Sequence, residues 1–215
     1  MPVVISTIDA VEQGLIASLG RPSSNVTGMT IESIDSAGKE LALLKEAIPG
    51  ISRVGIVANP AMPGYSSVTK SLDRGAAALG LRLVPVEVTG ADNLVAAFDA
   101  MKVARVDAFL VVAEPVIDGL RARIVVLAAE RHLPAMYPWR MYVDAGGLMS
   151  YGPSLPDLVS RLAYFVHRII TGTKPGELPV ELPSKFDLVL NLQAAGDLGI
   201  TFPPSLRQLA AETLK

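Results

Sequence analysis

The stretch RVGIVANPAMPGYSSVTKSLDRGAAALGLRLVPVEV, residues 53–88, decides the fold. It opens with a short apolar run, Arg53–Ala58, turns through Asn59-Pro60 and Pro63-Gly64, carries apolar residues at three- and four-residue spacing through 65–79, and returns to an apolar run at 82–88. Asn-Pro and Pro-Gly pairs are turn chemistry, and Gly80 stands where a left-handed helix end is expected. Strand, turn, helix and strand in that order make a βαβ unit with two parallel strands in one sheet.

The same alternation extends in both directions. Strands are expected at 2–6, 25–29, 53–58, 82–88, 107–113, 133–137, 147–150 and 186–191, and helices at 11–19, 36–47, 65–79, 92–102, 116–131, 155–171 and 193–198. Gly172 follows the helix at 155–171 as Gly80 follows its own, and 171–183, with three prolines and two glycines, reads as an exposed connection. The first buried-type strand begins at residue 2 with no element ahead of it to pair with, so further sequence upstream is expected.

Composition agrees with a buried parallel sheet. Half of the 215 residues are apolar, 19% are charged and 5% aromatic, so the cores are built from Val, Leu, Ile and Ala. With no cysteine there is neither a disulfide nor a thiolate site. A net charge of −2 with scattered Lys and Arg gives no footprint for nucleic acid. No apolar run reaches the roughly 20 residues of a membrane span, and residues 1–20 lack the basic start and cleavage site of a signal peptide.

Open α/β sheets bind ligands beyond the carboxyl ends of their strands. The residues there supply the candidates: Thr7 and Asp9 after the first strand, Asn59 and Tyr65 after the third, Glu114 after the fifth, Tyr137, Trp139 and Arg140 after the sixth, and Tyr151 after the seventh. Aromatic and hydrogen-bonding groups on one edge suit a small-molecule cleft. Arg140 could grip a ligand carboxylate with its planar fork, and Glu114 could take an ammonium or cap the following helix. Asn59 could equally cap its turn, Tyr65 begin its helix as a core residue, and Trp139 pack rather than touch ligand. His132 and His167 have no partner at ligand spacing, so neither metal nor cofactor is expected. The G-x-S-x-G, Walker and G-x-G-x-x-G patterns are absent, and no nucleophile stands beside a base, so no catalytic residue is assigned and the chain is expected not to be an enzyme.

Four stretches carry a family resemblance. GLIASLGRPSSNVTG (14–28) resembles the "GLVASLARPGGNVTG" signature of ABC-transporter substrate-binding proteins related to the tryptophan-binding receptors. LALLKEAIP (41–49) with RVGIVANP (53–60) resembles that family's "LLKELLP…RVAVLWNP", and GTKPGELPVELPSKFDLVLNL (172–192) and LGITFPPSL (198–206) are similar to its C-terminal end. The resemblance implies an α/β protein of two doubly wound parallel-sheet lobes, a type I periplasmic-binding fold, with a solute held between them. It implies an N-terminal lobe incomplete here, with 1–30 and 146–176 its remnant and 31–145 and 177–215 the C-terminal lobe.

By the same resemblance the partners are a small solute, such as an aromatic amino acid or related carboxylate, and a membrane permease, and the location is the periplasm. The first loop departs from the pattern, reading TIDAVEQG (7–14) where relatives show "GDPVGAG". A sheet edge left bare by a shortened lobe could pair two copies into a dimer. The alternatives are a ligand-sensing domain of a regulator with the same fold, or a truncated remnant that no longer binds.

Overall fold

A computed structural model describes residues 1–22, 24–31 and 33–215, with the side chains of 33–35 outside that description. The strands are β1 (Val3–Ile8), β2 (Val26–Ile31), β3 (Arg53–Ala58), β4 (Arg82–Glu87), β5 (Ala108–Val111), β6 (Ala135–Tyr137), β7 (Met149–Pro153), β8 (Phe186–Asn191) and β9 (Glu212–Leu214). The helices are α1 (Ser33–Ala47), α2 (Tyr65–Leu79), α3 (Leu94–Val103), α4 (Pro115–Gly119), α5 (Arg121–Glu130), α6 (Arg140–Asp144), α7 (Leu155–Ile170), α8 (Leu192–Asp197) and α9 (Pro204–Leu209). The βαβ unit at 53–88 is present, with β3 and β4 parallel and α2 ending at Gly80 in the left-handed region, φ 64°.

Seven strands form one sheet in the order β4-β3-β5-β6-β7-β8-β9, parallel except where β7 meets β8. It is buried on both faces. Leu41, Leu44, Leu72 and Leu206 of α1, α2 and α9 cover one face over Val54, Leu110 and Leu190. Phe98, Met101, Ile124 and Tyr142 of α3, α5 and α6 cover the other over Val57, Phe109 and Tyr137. A β-carbon on Gly75 would sit 2.9 Å from the Gly38 backbone, so α1 and α2 cross at close range on two glycines.

The second sheet is the parallel pair β1-β2, extended by a bridge from Met29 to Glu181. α7 covers one face through Leu158 and Phe165 against Met29, and Ile16 with Val180 covers the other. Strand β7, within the 146–176 segment, lies between β6 and β8 in the large sheet, and the chain reaches the small sheet only after Pro153, where α7 packs on it.

Two local expectations give way, and three short elements were not foreseen. Residues 11–19 form turns rather than a helix, since Gly14 takes φ 70° and the apolar periodicity there serves to bury Ile16 beside Ala10. The helix expected at 116–131 breaks at Leu120 into α4 and α5. Strand β9 and helices α6 and α9 went unread because each is six residues or shorter, too brief for periodicity to register.

Candidate functional site

The carboxyl ends of both sheets converge on one cavity of about 50 Å³. Ile8 ends β1 and Ile31 ends β2, while Val111–Ala113 follow β5, Pro138 and Trp139 follow β6, and Gly152 and Pro153 end β7. Val68 and Leu72 of α2 and Ser36, Ala37 and Glu40 of α1 close the remaining side. More open grooves of about 430 and 420 Å³ lie at the amino starts of β3 and β4 and beside α7, and a cavity of about 90 Å³ lies between α5 and α8. None of these is at a carboxyl edge, where helix starts and loops from several strands can converge on a ligand.

Gly152 sets the shape of the wall. A β-carbon there would stand 2.0 Å from the Pro138 carbonyl oxygen, so only glycine lets the ends of β6 and β7 approach so closely.

The small sheet is tied to the large one at the mouth. Asp9 has a left-handed backbone, φ 49°, and the Ser67 hydroxyl on α2 lies 2.6 Å from its carboxylate and 2.7 Å from that of Glu12. A hydroxyl has one proton, so it donates to one carboxylate at a time. Gln13 donates its amide to Thr7 Oγ1 at 3.3 Å and to the Ile8 carbonyl, closing the loop upon itself.

The other candidates divide. Trp139 lines the cavity, and its indole N–H donates to Asp118 at 3.1 Å. Asp118 also accepts from the Tyr142 hydroxyl at 2.8 Å, and burial raises its carboxyl above the ordinary range against those two bonds. Tyr151 is half-buried beside the cavity, stacked on Phe186 at 5.6 Å, and its hydroxyl is raised first by burial and then by the charge of Glu40.

Four candidates have their groups engaged within the protein. Asn59 Oδ1 accepts from the Ala61 N–H at 3.0 Å and so caps its turn. Glu114 accepts from the Ile117 N–H at 3.0 Å and caps α4. Tyr137 is 1% exposed, stacked on Tyr142 at 4.8 Å, because its strand turns it into the α5 face of the core. Arg140 points away from the cavity and pairs with Asp144 at 3.3 Å and with Glu212 of β9 at 2.9 Å. Tyr65 packs against the core at the start of α2, the alternative already open for it.

Sequence reasoning passed over Glu40. It lies three residues after buried Ala37 and four before buried Leu44, on the apolar stripe of α1, and a charged residue in such a stripe was the available signal. Burial pushes its carboxyl up to about 8.

With this geometry in view, the comparisons with known proteins are direct. Residues 1–214 match the ABC transporter substrate binding proteins. The chain belongs to that family. Within it, the tyrosine-binding protein of Clostridioides difficile is 22% identical over 217 residues, covering all of this chain and 60% of that protein. The crystal structure of a conserved domain protein from Vibrio cholerae superposes with a TM-score of 0.90 at 28% identity, over 99% of this chain and 71% of that one. A Streptococcus pneumoniae ABC domain in complex with L-Trp gives a TM-score of 0.89 at 23% identity, over 99% of this chain and 73% of that one. The chain shares with these structures an α/β, type I periplasmic-binding-protein-like fold.

Proposed function

We propose that the chain is the solute-capturing component of an ABC importer, working outside the cytoplasmic membrane and delivering its ligand to a permease. The small sheet with α7 forms one lobe and the seven-stranded sheet the other, and the solute sits where their carboxyl edges meet. The observation that carries this reading is the cavity whose lining comes from both sheets, Ile8 and Ile31 on one side and Val112, Trp139 and Gly152 on the other. A ligand touching both walls stabilises the closed arrangement over the open one, which is how hinge closure is driven.

Names of relatives favour an aromatic amino acid: one is a tyrosine-binding protein, and another was solved with L-Trp. The chain spans 60% of the length of the first. A thermal-shift screen of the purified chain against amino acids, aromatic acids and sugars tests the reading. A solute that binds only the folded state at a concentration about a hundredfold over its Kd adds roughly 2.7 kcal/mol of stability, a plainly visible shift. A cooperative transition that no compound moves would mean a fold without a working cleft.

A further inference from the structure

Resting on that reading of the cleft, we propose that Glu40 is the residue by which it recognises its solute, and that the group recognised is a cationic primary amine rather than a carboxylate. The cavity lining is aliphatic, apart from Ser36, Trp139 and Glu40, and among the described residues Glu40 is its one ionisable side chain. Its carboxyl makes no hydrogen bond or ion pair among those residues, whereas Asp118 accepts from both Trp139 and Tyr142. Glu40 is half-buried in that wall, so its carboxyl can be reached from the cavity and is open to a donor that a ligand supplies.

Among the described residues the same lining contains no cation to receive a carboxylate. Arg140, the candidate for that role, is turned toward Asp144 and Glu212. The size fits as well. About 50 Å³ is a few times the space of one water, enough for an ammonium head group with an aromatic or aliphatic body lying toward the mouth. Trp139 in the same wall adds an aromatic surface suited to a cation.

The empty protein avoids the cost of an unpaired buried charge by keeping Glu40 protonated at neutral pH, since burial pushes its carboxyl up to about 8. Of the elements packed around it, α2 presents Val68 and Leu72, β5 leads into Val112, and β7 carries Tyr151, the titratable group that senses Glu40. When an ammonium ion binds, Glu40 ionises, the carboxylate pairs with the ligand's charge, and the displaced proton leaves to solvent. At pH 7 close to one proton is therefore released per ligand bound.

Isothermal titration calorimetry with phenethylamine, L-phenylalanine and 3-phenylpropanoate, in two buffers of different ionisation enthalpy, tests this. The expected result is that the amine binds with proton release, 3-phenylpropanoate does not bind, and Glu40→Gln, which keeps the side chain's shape, weakens the amine roughly ten- to a hundredfold and abolishes the release. Binding of 3-phenylpropanoate as tight as that of the amine, amine binding untouched by Glu40→Gln, or no binding of the amine would each overturn the proposal. The receptor reading stands in all three cases if another solute shifts the wild-type transition in the broad screen, and falls only if nothing does.

Discussion

The two sheets solve the same problem at very different scales. The seven-stranded sheet is sandwiched between two extensive apolar clusters, while the β1-β2 pair is held by α7 on one face and a loop on the other, with four fully buried side chains in the larger of its two clusters. A two-stranded pair is at best marginal alone, so the small sheet depends on its coverings and on the Ser67 contact to stay aligned with the large one. The large sheet therefore carries most of the buried apolar core, and the small one is expected to open locally at lower cost.

The sharpest test of that division is to damage each core equally. Phe109→Ala in β5, where Phe109 is 0% exposed and meets Phe98 edge-on at 5.4 Å, is expected to cost about 3–5 kcal/mol in chemical denaturation. Gly152→Ala, with its β-carbon on the Pro138 carbonyl, is expected to cost about 1–3 kcal/mol and to weaken any ligand found by the screen, because the wall itself must move. Phe165→Ala, in the small unit and 1% exposed, should cost less globally, about 1–2 kcal/mol, while hydrogen exchange speeds up selectively in β1 and β2. Equal global losses for Phe109→Ala and Phe165→Ala would break the comparison and make the two sheets one cooperative unit.

Glu40 separates the regions by pH. Its folded value lies above its unfolded one, so the native state holds a proton the unfolded chain has lost. The contribution of Glu40 to stability is therefore most favourable below about 4.5, declines as pH rises toward 8, and is level above that. Glu40→Gln is expected to raise Tm at pH 8 by roughly 2–6 °C and to leave it nearly unchanged at pH 4. The smallest effect belongs to Arg140→Ala. Its pairs are solvent-exposed, so a loss of at most about 1 kcal/mol and unaltered ligand binding are expected, and a large drop in affinity would return Arg140 to the site.

Much of the layout was legible because it is local. Strands β3 and β8 and helix α2 fall at the expected residues, since alternation, apolar spacing and the Gly80 terminator are properties of short windows. The 11–19 segment misled because Val11, Leu15, Ile16 and Leu19 have helical spacing, yet Gly14 and the buried contact of Ile16 with Val180, far along the chain, hold turns instead. The site was legible to the level of strand ends and no further. Trp139 lines the cavity and Tyr151 is close enough to feel the charge of Glu40, whereas Tyr137 and Arg140, equally close to a strand end, face elsewhere.

The sequence by itself determined an α/β protein of βα units and its family, and pointed to the carboxyl ends of its strands as the candidate ligand edge, because each depends on residue order and spacing along the chain. Tertiary structure alone decided that β7 joins the large sheet, that Arg140 answers Glu212 and Asp144, and that Glu40 looks into the cavity. Those depend on contacts between residues distant in sequence, and a side chain's face is fixed only when its neighbours are packed.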